Sequence, residues 1–273
     1  MKLKELFVSK KGEEVPLWKA AFSMLLTCVL VVLFFWVSLI RIDYAADFSF
    51  LPDFRQRIWS GFWMTVLISV ASMLLSLALG ILSAAGRSCR ILVLRYLCSL
   101  YVTFIRGTPL IMQIYLFYYI VGTAWGIENR FAAGVLILSV FEGAYISEII
   151  RGSLLSMDES QLEAARAVGF TKKQTLRYVI FPQMVARTLP ALTGQFASVI
   201  KDSSLLSMIS VIELTQAMRE ISAGNLKLVE SYLFLGVLYL VLTLPVAFIS
   251  KRLERRSRRP SGLRKTKPQG NSL

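Results

Sequence analysis

The sequence has 273 residues, of which 55% are hydrophobic and 18% are charged, and its formal net charge is +14. This composition is too apolar for an ordinary water-soluble domain. Histidine is absent and the three cysteines show no C-x-x-C spacing, so zinc and thiol redox chemistry are not expected. The basic residues flank apolar runs, a placement that membrane topology explains better than nucleic-acid binding does.

Long apolar stretches follow one another along the chain, each close to the roughly 20 residues that a helix needs to cross the hydrocarbon core. Four carry no charged side chain, and two are interrupted by charged residues. The first lacks a small-residue cleavage pattern and is predicted to be a retained helix. The sequence therefore predicts an all-α polytopic membrane protein of about six transmembrane helices, at residues 20–40, 58–86, 107–127, 131–150, 189–212 and 231–250.

Lys and Arg residues are unevenly divided between alternate loops. Most of the 31 lie on the side of the N-terminus, and the opposite side carries Arg41, Arg55, Arg57, Arg130, Arg219 and Lys227. Because cytoplasmic loops carry the excess of positive charge, both termini are predicted to face the cytoplasm. Residues 255–273, rich in arginine and containing two prolines, are predicted to form a basic, disordered cytoplasmic tail.

Residues 151–188 form a long predicted cytoplasmic loop. The loop is neither Gly/Ser-rich nor poor in helix formers, so it is predicted to be folded and to meet a partner. Good helix formers at residues 161–168 predict a short helix that stops at Gly169, where a left-handed residue can end it. A second short helix is predicted to begin after Thr171, as N-cap, and to end near Pro182.

Glu163, Ala164 and Ala165, followed by Gly169 and a closing Pro182, resemble the EAA loop of the permease subunits of bacterial ABC importers. In that family the loop is the coupling element that docks on a cytoplasmic ATPase subunit. Other segments resemble the branch that handles polar amino acids, at residues 61–66, 104–110, 143–152 and 201–205. Two features depart from the family pattern: five spans are usual there, and Ser160 precedes Gln161 where a glycine is usual.

The resemblance implies a type I ABC importer-like transmembrane domain at residues 58–254 that contains the coupling loop, with residues 1–57 as an addition that holds an extra helix. It implies a multi-pass permease subunit of the bacterial plasma membrane that translocates polar amino acids. The implied partners are cytoplasmic ATPase subunits, a second permease, identical or homologous, an external amino-acid-binding protein and membrane lipid, but no nucleic acid.

No G-x-x-x-x-G-K-[ST] phosphate loop occurs in the sequence. ATP and Mg²⁺ are therefore expected on the partner ATPase, and this chain is expected to bind no cofactor. The chain is accordingly predicted to be a transport subunit and not an enzyme.

Polar side chains inside the predicted spans are expected to face the bundle interior or water. Glu142 and Tyr145 lie three residues apart on one helix face and are candidates for lining the substrate pathway, and the alternative is a structural hydrogen bond to a neighbouring helix. Gln113 has the same two alternatives. Lys201 and Asp202 are further pathway candidates, and because they are adjacent they must point to different faces of the helix. Ser203 and Ser204 could line the pathway or form a hinge.

Four further residues are assigned structural roles. Pro109 is expected at the first position of a helix with Thr108 as its N-cap, which would make Arg106 a headgroup anchor. The alternative pairs Arg106 with Glu148 to hold two helices in register. Glu148 and Arg151, three residues apart, are predicted to form a local ion pair.

Two other function classes are compatible with parts of the sequence. An ion-coupled secondary carrier would use Glu142, Lys201 and Asp202 as proton or sodium relay groups and would need no ATPase. A membrane enzyme is a more distant alternative, because the sequence offers no paired acid and base, nucleophile elbow or metal cluster at a membrane face. Co-purification of an ATPase distinguishes the importer from the carrier.

Overall fold

The computed structural model describes residues 16–41 and 44–257, and throughout these residues the regular structure is helical. The chain divides into two compact units, Met1–Ser49 and Phe50–Leu273. The first unit holds helix α1, Leu17–Arg41, which is long and apolar enough to cross a membrane. Residues 258–273 of the predicted tail lie outside the described residues.

The second unit is a bundle of long helices with shorter helices at its ends. Its elements are α2 (Arg55–Arg87), α3 (Leu92–Gly107), α4 (Leu110–Tyr115, continued by the π-helical segment Leu116–Gly122), α5 (Arg130–Leu155), α6 (Glu159–Ala167), α7 (Lys172–Thr175, continued by the π-helical segment Leu176–Ile180), α8 (Phe181–Asp202, followed by the 3₁₀ helix Ser203–Ile209), α9 (Leu214–Asn225) and α10 (Leu228–Ser257). The prediction of an all-α fold is confirmed.

Four helices in the described part of the chain have the length and hydropathy of a membrane span, namely α1, α2, α5 and α10. The pair α3 and α4 adds a fifth if the two are taken as one broken span. The predicted span at residues 189–212 corresponds to α8 and the 3₁₀ helix, which are less apolar. The prediction of about six helices thus fits approximately.

The predicted span at residues 107–127 is helical from Leu110 to Gly122, but it is preceded by α3, which the sequence analysis did not predict, and the two helices meet at a bend of 116°. Thr108 is the C-cap of α3, with φ −125° and ψ 150°, and Pro109 is the N-cap of α4. A residue before proline avoids helical backbone angles because it would clash with the proline ring. The predicted roles of Thr108 as N-cap and Pro109 as first helical residue are therefore both corrected.

Helices α2 and α5 form the centre of the bundle and approach closely through small residues. Along α2 the buried positions include Ser69, Ser72, Ser76, Gly80 and Ser83. A Cβ atom on Gly80 would lie 2.5 Å from a side-chain carbon of Ile146, so only glycine fits there. Small residues at this spacing allow two helix backbones to pack in contact, which is the usual device inside a membrane.

Candidate functional site

The first part of the predicted coupling loop is the short helix α6. The helix ends in a Schellman motif, in which Phe170 N–H donates to Ala165 O at 3.0 Å and Gly169 N–H donates to Arg166 O at 3.0 Å. Gly169 has φ +78°, a left-handed conformation that glycine adopts without steric cost. The predicted stop at Gly169 is therefore present in the structure.

The second part begins at Thr171 with a capping box. Thr171 Oγ1 accepts from Gln174 N–H at 3.3 Å, and Gln174 Oε1 accepts from Thr171 N–H at 2.8 Å. The prediction that this helix ends near Pro182 is wrong: the backbone stays helical through the π-helical segment into α8, and Pro182 lies directly after that segment, where the regular i→i−4 hydrogen bonding is already interrupted.

The outer surface of this loop carries exposed apolar side chains among charged ones. Glu163, Ala164 and Gly169 are exposed, whereas Ala165 is buried and holds α6 in place. The side chains of Val168 and Tyr178 are 70% and 62% exposed. Two short helices joined by a glycine, with large apolar side chains on the outside, have the form of a knob that fits a groove on another protein.

A fully buried carboxyl group lies in the interior, where α5 packs against α8. Glu142 Oε2 accepts a hydrogen bond from Gln195 Nε2, and Glu142 Oε1 has no partner among the described residues. The Asp202 carboxyl is a neighbour of the same side chain. Glu142, Gln195 and Asp202 thus form one cluster of polar groups between α5 and α8.

One helical path joins the coupling loop to this cluster. The backbone is helical from Lys172 through α8 to Asp202, a distance of about 45 Å at 1.5 Å per residue. Gln195 and Asp202 lie near its far end. The loop and the cluster are therefore joined by one run of helical backbone, which contains Pro190 within α8.

Tyr145 points to a different neighbour from Glu142, although the two share a helix. Its ring packs against Phe141 with 5.1 Å between centroids, and the Arg106 guanidinium lies 5.4 Å from its centroid. Glu148 pairs with Arg151, as their spacing predicts, and also with Arg87 at 2.7 Å and Arg106 at 3.8 Å. One carboxylate thus joins the ends of α2, α3 and α5.

The remaining predicted pathway residues divide into separate environments. Gln113 is buried, and its Nε2 donates to Ile105 O at 2.8 Å and Thr108 Oγ1 at 2.7 Å, which fixes the bend between α3 and α4. Lys201 is exposed while Asp202 faces the interior. Ser203 is buried and donates to Ile200 O at 2.8 Å, and Ser204 is half-buried.

Sequence reasoning missed two functional candidates, Gln195 and Glu213. Glu213 is fully buried as the N-cap of α9, where its carboxylate accepts from Thr215 N–H and Gln216 N–H, both at 2.8 Å, and from Tyr239 Oη–H at 3.0 Å. Glutamate is not a preferred N-cap residue, and a lone glutamine in a helix carries no pattern. Neither residue therefore gave a signal.

Glu213 gives the region around α9 a pH dependence. Burial raises the pKa of Glu213 to about 7 from 4.5, although the hydrogen bonds favour its charged form. Because the pKa is higher in the folded state, protonated Glu213 contributes its full stabilisation below about pH 4.5. This contribution to the free energy of unfolding is lost as the pH rises through 7, by ~3 kcal/mol in all. We expect the thermal midpoint to fall between pH 5 and 8, and to fall less in Glu213→Gln. Equal slopes in the two proteins would contradict this assignment.

Metal binding has no evident place in the part of the chain that is described: residues 16–41 and 44–257 contain no group of three or more His, Cys, Asp or Glu side chains suited to a metal ion. The chemistry available is that of hydrogen bonds and buried charge. This arrangement can bind polar solutes and move, but offers no activated nucleophile.

Known proteins share both the sequence and the fold. Residues 76–259 match the family described as binding-protein-dependent transport system inner membrane component. The glutamine transport system permease protein GlnP of Escherichia coli (strain K12) is 36% identical over 211 residues, covering 72% of this chain and 96% of that protein. The L-cystine transport system permease protein TcyB of Bacillus subtilis (strain 168) is 34% identical over 207 residues, covering 74% of this chain and 88% of that protein.

A solved structure described as an amino acid ABC transporter with histidines has a TM-score of 0.73 and 31% identity, and covers 78% of this chain and 99% of that one. These matches do not favour the ion-coupled carrier that the intramembrane charges alone allowed. The family that the coupling-loop sequence resembles is confirmed. The chain belongs to the inner membrane components of binding-protein-dependent transport systems, the permease subunits of ABC importers.

Proposed function

We propose that this chain forms part of the translocation pathway for polar amino acids in an ABC importer, and that a separate ATPase drives it through the loop at residues 151–188. The observation that carries the proposal is the continuous helical path from the exposed loop to Gln195 and Asp202. The names of the relatives support an amino acid as the transported solute, and they include both glutamine and L-cystine systems.

The proposed pathway centre is the cluster of Glu142, Gln195 and Asp202. A solute with an ammonium group would be attracted to the buried Glu142 carboxyl and the half-buried Asp202 carboxyl, and the amide beside them can donate or accept a hydrogen bond. Glu142 Oε1, which has no hydrogen-bond partner in the described structure, is the atom best placed to accept one from a solute. Tyr145 belongs instead to the group that joins Arg106 and Glu148, so its proposed role is to position α3 against α5.

The proposed cycle has two access states. Two permeases, identical or homologous, would enclose the pathway, and ATP-driven closure of two cytoplasmic ATPase subunits would move both loops together. Both termini and the loop would then lie in the cytoplasm of a bacterium, with an external binding protein delivering the solute on the opposite side. ATP and Mg²⁺ would be bound by the ATPase alone.

Two measurements test this proposal. We expect a strain that lacks this chain to lose uptake of one or a few members of a panel of labelled polar amino acids, and the plasmid-borne gene to restore it. We expect the solubilised full-length chain to co-purify with a nucleotide-hydrolysing subunit. Unchanged uptake across the whole panel would contradict the substrate class, whereas absence of any ATPase partner would contradict the importer mechanism.

A further inference from the structure

The coupling loop is closed at its base by side-chain contacts between the helices that enter and leave it. The last turn of α5 and its C-cap Ser156 form the entrance, and the first two turns of α8 form the exit. Gln183, in the first of these turns, donates from Nε2 to Gln161 Oε1 on α6. The start of α8 is therefore bound to the first helix of the loop.

Arg187 lies one helical turn beyond Gln183 and contacts the end of α5. Its Nη1 donates to the carbonyl oxygen of Ser156 and, at 2.8 Å, to Ser156 Oγ. The last carbonyl groups of a helix have no N–H donors in their own helix, and a cation at that end also interacts favourably with the helix dipole. The end of α5 thus receives a charged donor that belongs to α8.

Thr188 makes a further contact between the same two helices. Its hydroxyl oxygen lies 3.1 Å from Ser153 Oγ, and both side chains are buried. A buried hydroxyl that loses its partner is costly, so this contact holds α5 and α8 in register. The three pairs form what we call the loop-base clamp: Gln161 with Gln183, Ser156 with Arg187, and Ser153 with Thr188.

The two long helices that the clamp joins differ in continuity. Helix α8 contains Pro190, two residues after Thr188, and a proline inside a helix removes a backbone hydrogen bond and kinks it. Helix α5 has no proline from Arg130 to Leu155, and it carries Glu142 near its middle. The clamp therefore opens a second path from the loop to the buried cluster, along a helix that no proline interrupts.

We propose that Arg187 and Thr188 are positioning residues, which hold the coupling loop on α5 throughout the transport cycle. Helices α5 and α8 then act together on the cluster of Glu142, Gln195 and Asp202. This role rests on the proposed function, because it needs an ATPase that moves the loop. It adds that the loop drives α5 directly, and does not act through α8 alone.

The role of Arg187 is tested in proteoliposomes that hold the full-length chain with its co-purified ATPase subunit, by measuring uptake and ATP hydrolysis together. We expect Arg187→Ala to keep the ATPase bound and active but to lower the solute taken up per ATP hydrolysed about fivefold or more, the lower end of usual coupling energies. Arg187→Lys keeps a charged donor and should recover part of this loss. A residue that only stabilises the fold would lower the amount of chain and leave the ratio unchanged, and that result would overturn the proposal.

Thr188→Val and Thr193→Val form a matched pair on α8. Each removes a hydroxyl group that contacts the carbonyl oxygen four residues earlier in its own helix, at 2.6 Å for Thr188 and 2.8 Å for Thr193. Thr188 in addition contacts Ser153 of α5. We expect Thr188→Val to lower the uptake per ATP and Thr193→Val to keep it. If Arg187→Ala fails to fold, this pair decides, and equal ratios in the two variants would overturn the proposal.

A reversible cross-link tests whether the clamp stays closed during transport. Ser153→Cys and Thr188→Cys are combined in a chain whose three native cysteines are replaced by serine. The two hydroxyl oxygens lie 3.1 Å apart, so sulfur atoms in their places need little movement to reach the about 2.05 Å of a disulfide. We expect oxidation to join the two residues and to leave uptake close to that of the reduced protein.

Two results of this experiment would overturn the proposal. Failure to form the cross-link would contradict the contact between α5 and α8. Loss of uptake on oxidation, with recovery on reduction, would mean that the clamp has to open in each cycle. Absence of an ATPase partner from the wild-type protein is a different result, and it would contradict the proposed function itself.

Discussion

Gly169→Asp is expected to reduce uptake to background and to release the ATPase subunit, while leaving the chain folded and inserted in the membrane. Gly169 joins the two helices of the coupling knob with φ +78°. Aspartate is one of the few residues that tolerate this left-handed conformation, at a cost of roughly 1–2 kcal/mol. Its negative charge beside the C-terminus of α6 adds an unfavourable ~0.3–1 kcal/mol.

This cost in folding free energy is too small to unfold the chain. The expected loss of uptake must therefore arise from a contact between this chain and another protein. Among the described residues, a Cβ atom on Gly169 would meet nothing within 4 Å. The new side chain therefore projects from the exposed surface at which the ATPase is proposed to dock. Charge and volume introduced into a close-packed interface commonly cost several kcal/mol, whereas the same change on a free surface costs little.

Gly169→Asn is the matched control, because asparagine has the same size and the same tolerance of the left-handed region without the charge. We expect it to retain more ATPase and more uptake than Gly169→Asp. Membrane content and the elution volume of the purified chain should be unchanged in both variants. Normal uptake by Gly169→Asp would contradict the docking role of the loop, and a chain missing from the membrane would contradict the surface position of the residue.

Local chemistry explains why the loop could be predicted in such detail. The stop at Gly169 and the capping box between Thr171 and Gln174 depend on residues within five positions of one another, and both are present. The positions of proline predicted helix ends less well. At Pro109 the chain bends, because the residue before it leaves the helical region. At Pro182 the helix continues, because the π-helical segment before it already interrupts the regular i→i−4 hydrogen bonding.

The interior could be predicted only in part, because partners distant in sequence determine it. Glu142 could be singled out because it is an ionisable residue in an apolar run, but its partner Gln195 lies 53 residues further on. Glu213 and Tyr239 are likewise brought together only by the packing of α9 against α10. The period of a single helix shows which face a side chain occupies, and it does not show which helix covers that face.

Glu142→Gln is expected to lower uptake at least about tenfold, equivalent to about 1.4 kcal/mol, without lowering the stability of the purified chain. Glutamine has nearly the shape of glutamate, and its Oε1 can still accept from Gln195 Nε2. The hydrogen bond that joins α5 to α8 is therefore kept. What the substitution removes is the acidic group that is proposed to attract the ammonium group of the solute.

This variant separates the two roles that a buried carboxyl group can have. If Glu142 only ties α5 to α8, Glu142→Gln should transport normally, and that result would contradict its place in the pathway. Glu142→Ala provides the comparison, since it leaves a cavity in the interior and removes the partner of the half-buried Gln195 amide, and it should cost about 2–4 kcal/mol of stability. Lys201→Ala alters an exposed neighbour of the cluster and should leave stability unchanged. A loss of uptake confined to Glu142→Gln and Glu142→Ala, with a loss of stability only in the latter, is the pattern expected of a carboxyl group that contacts the solute.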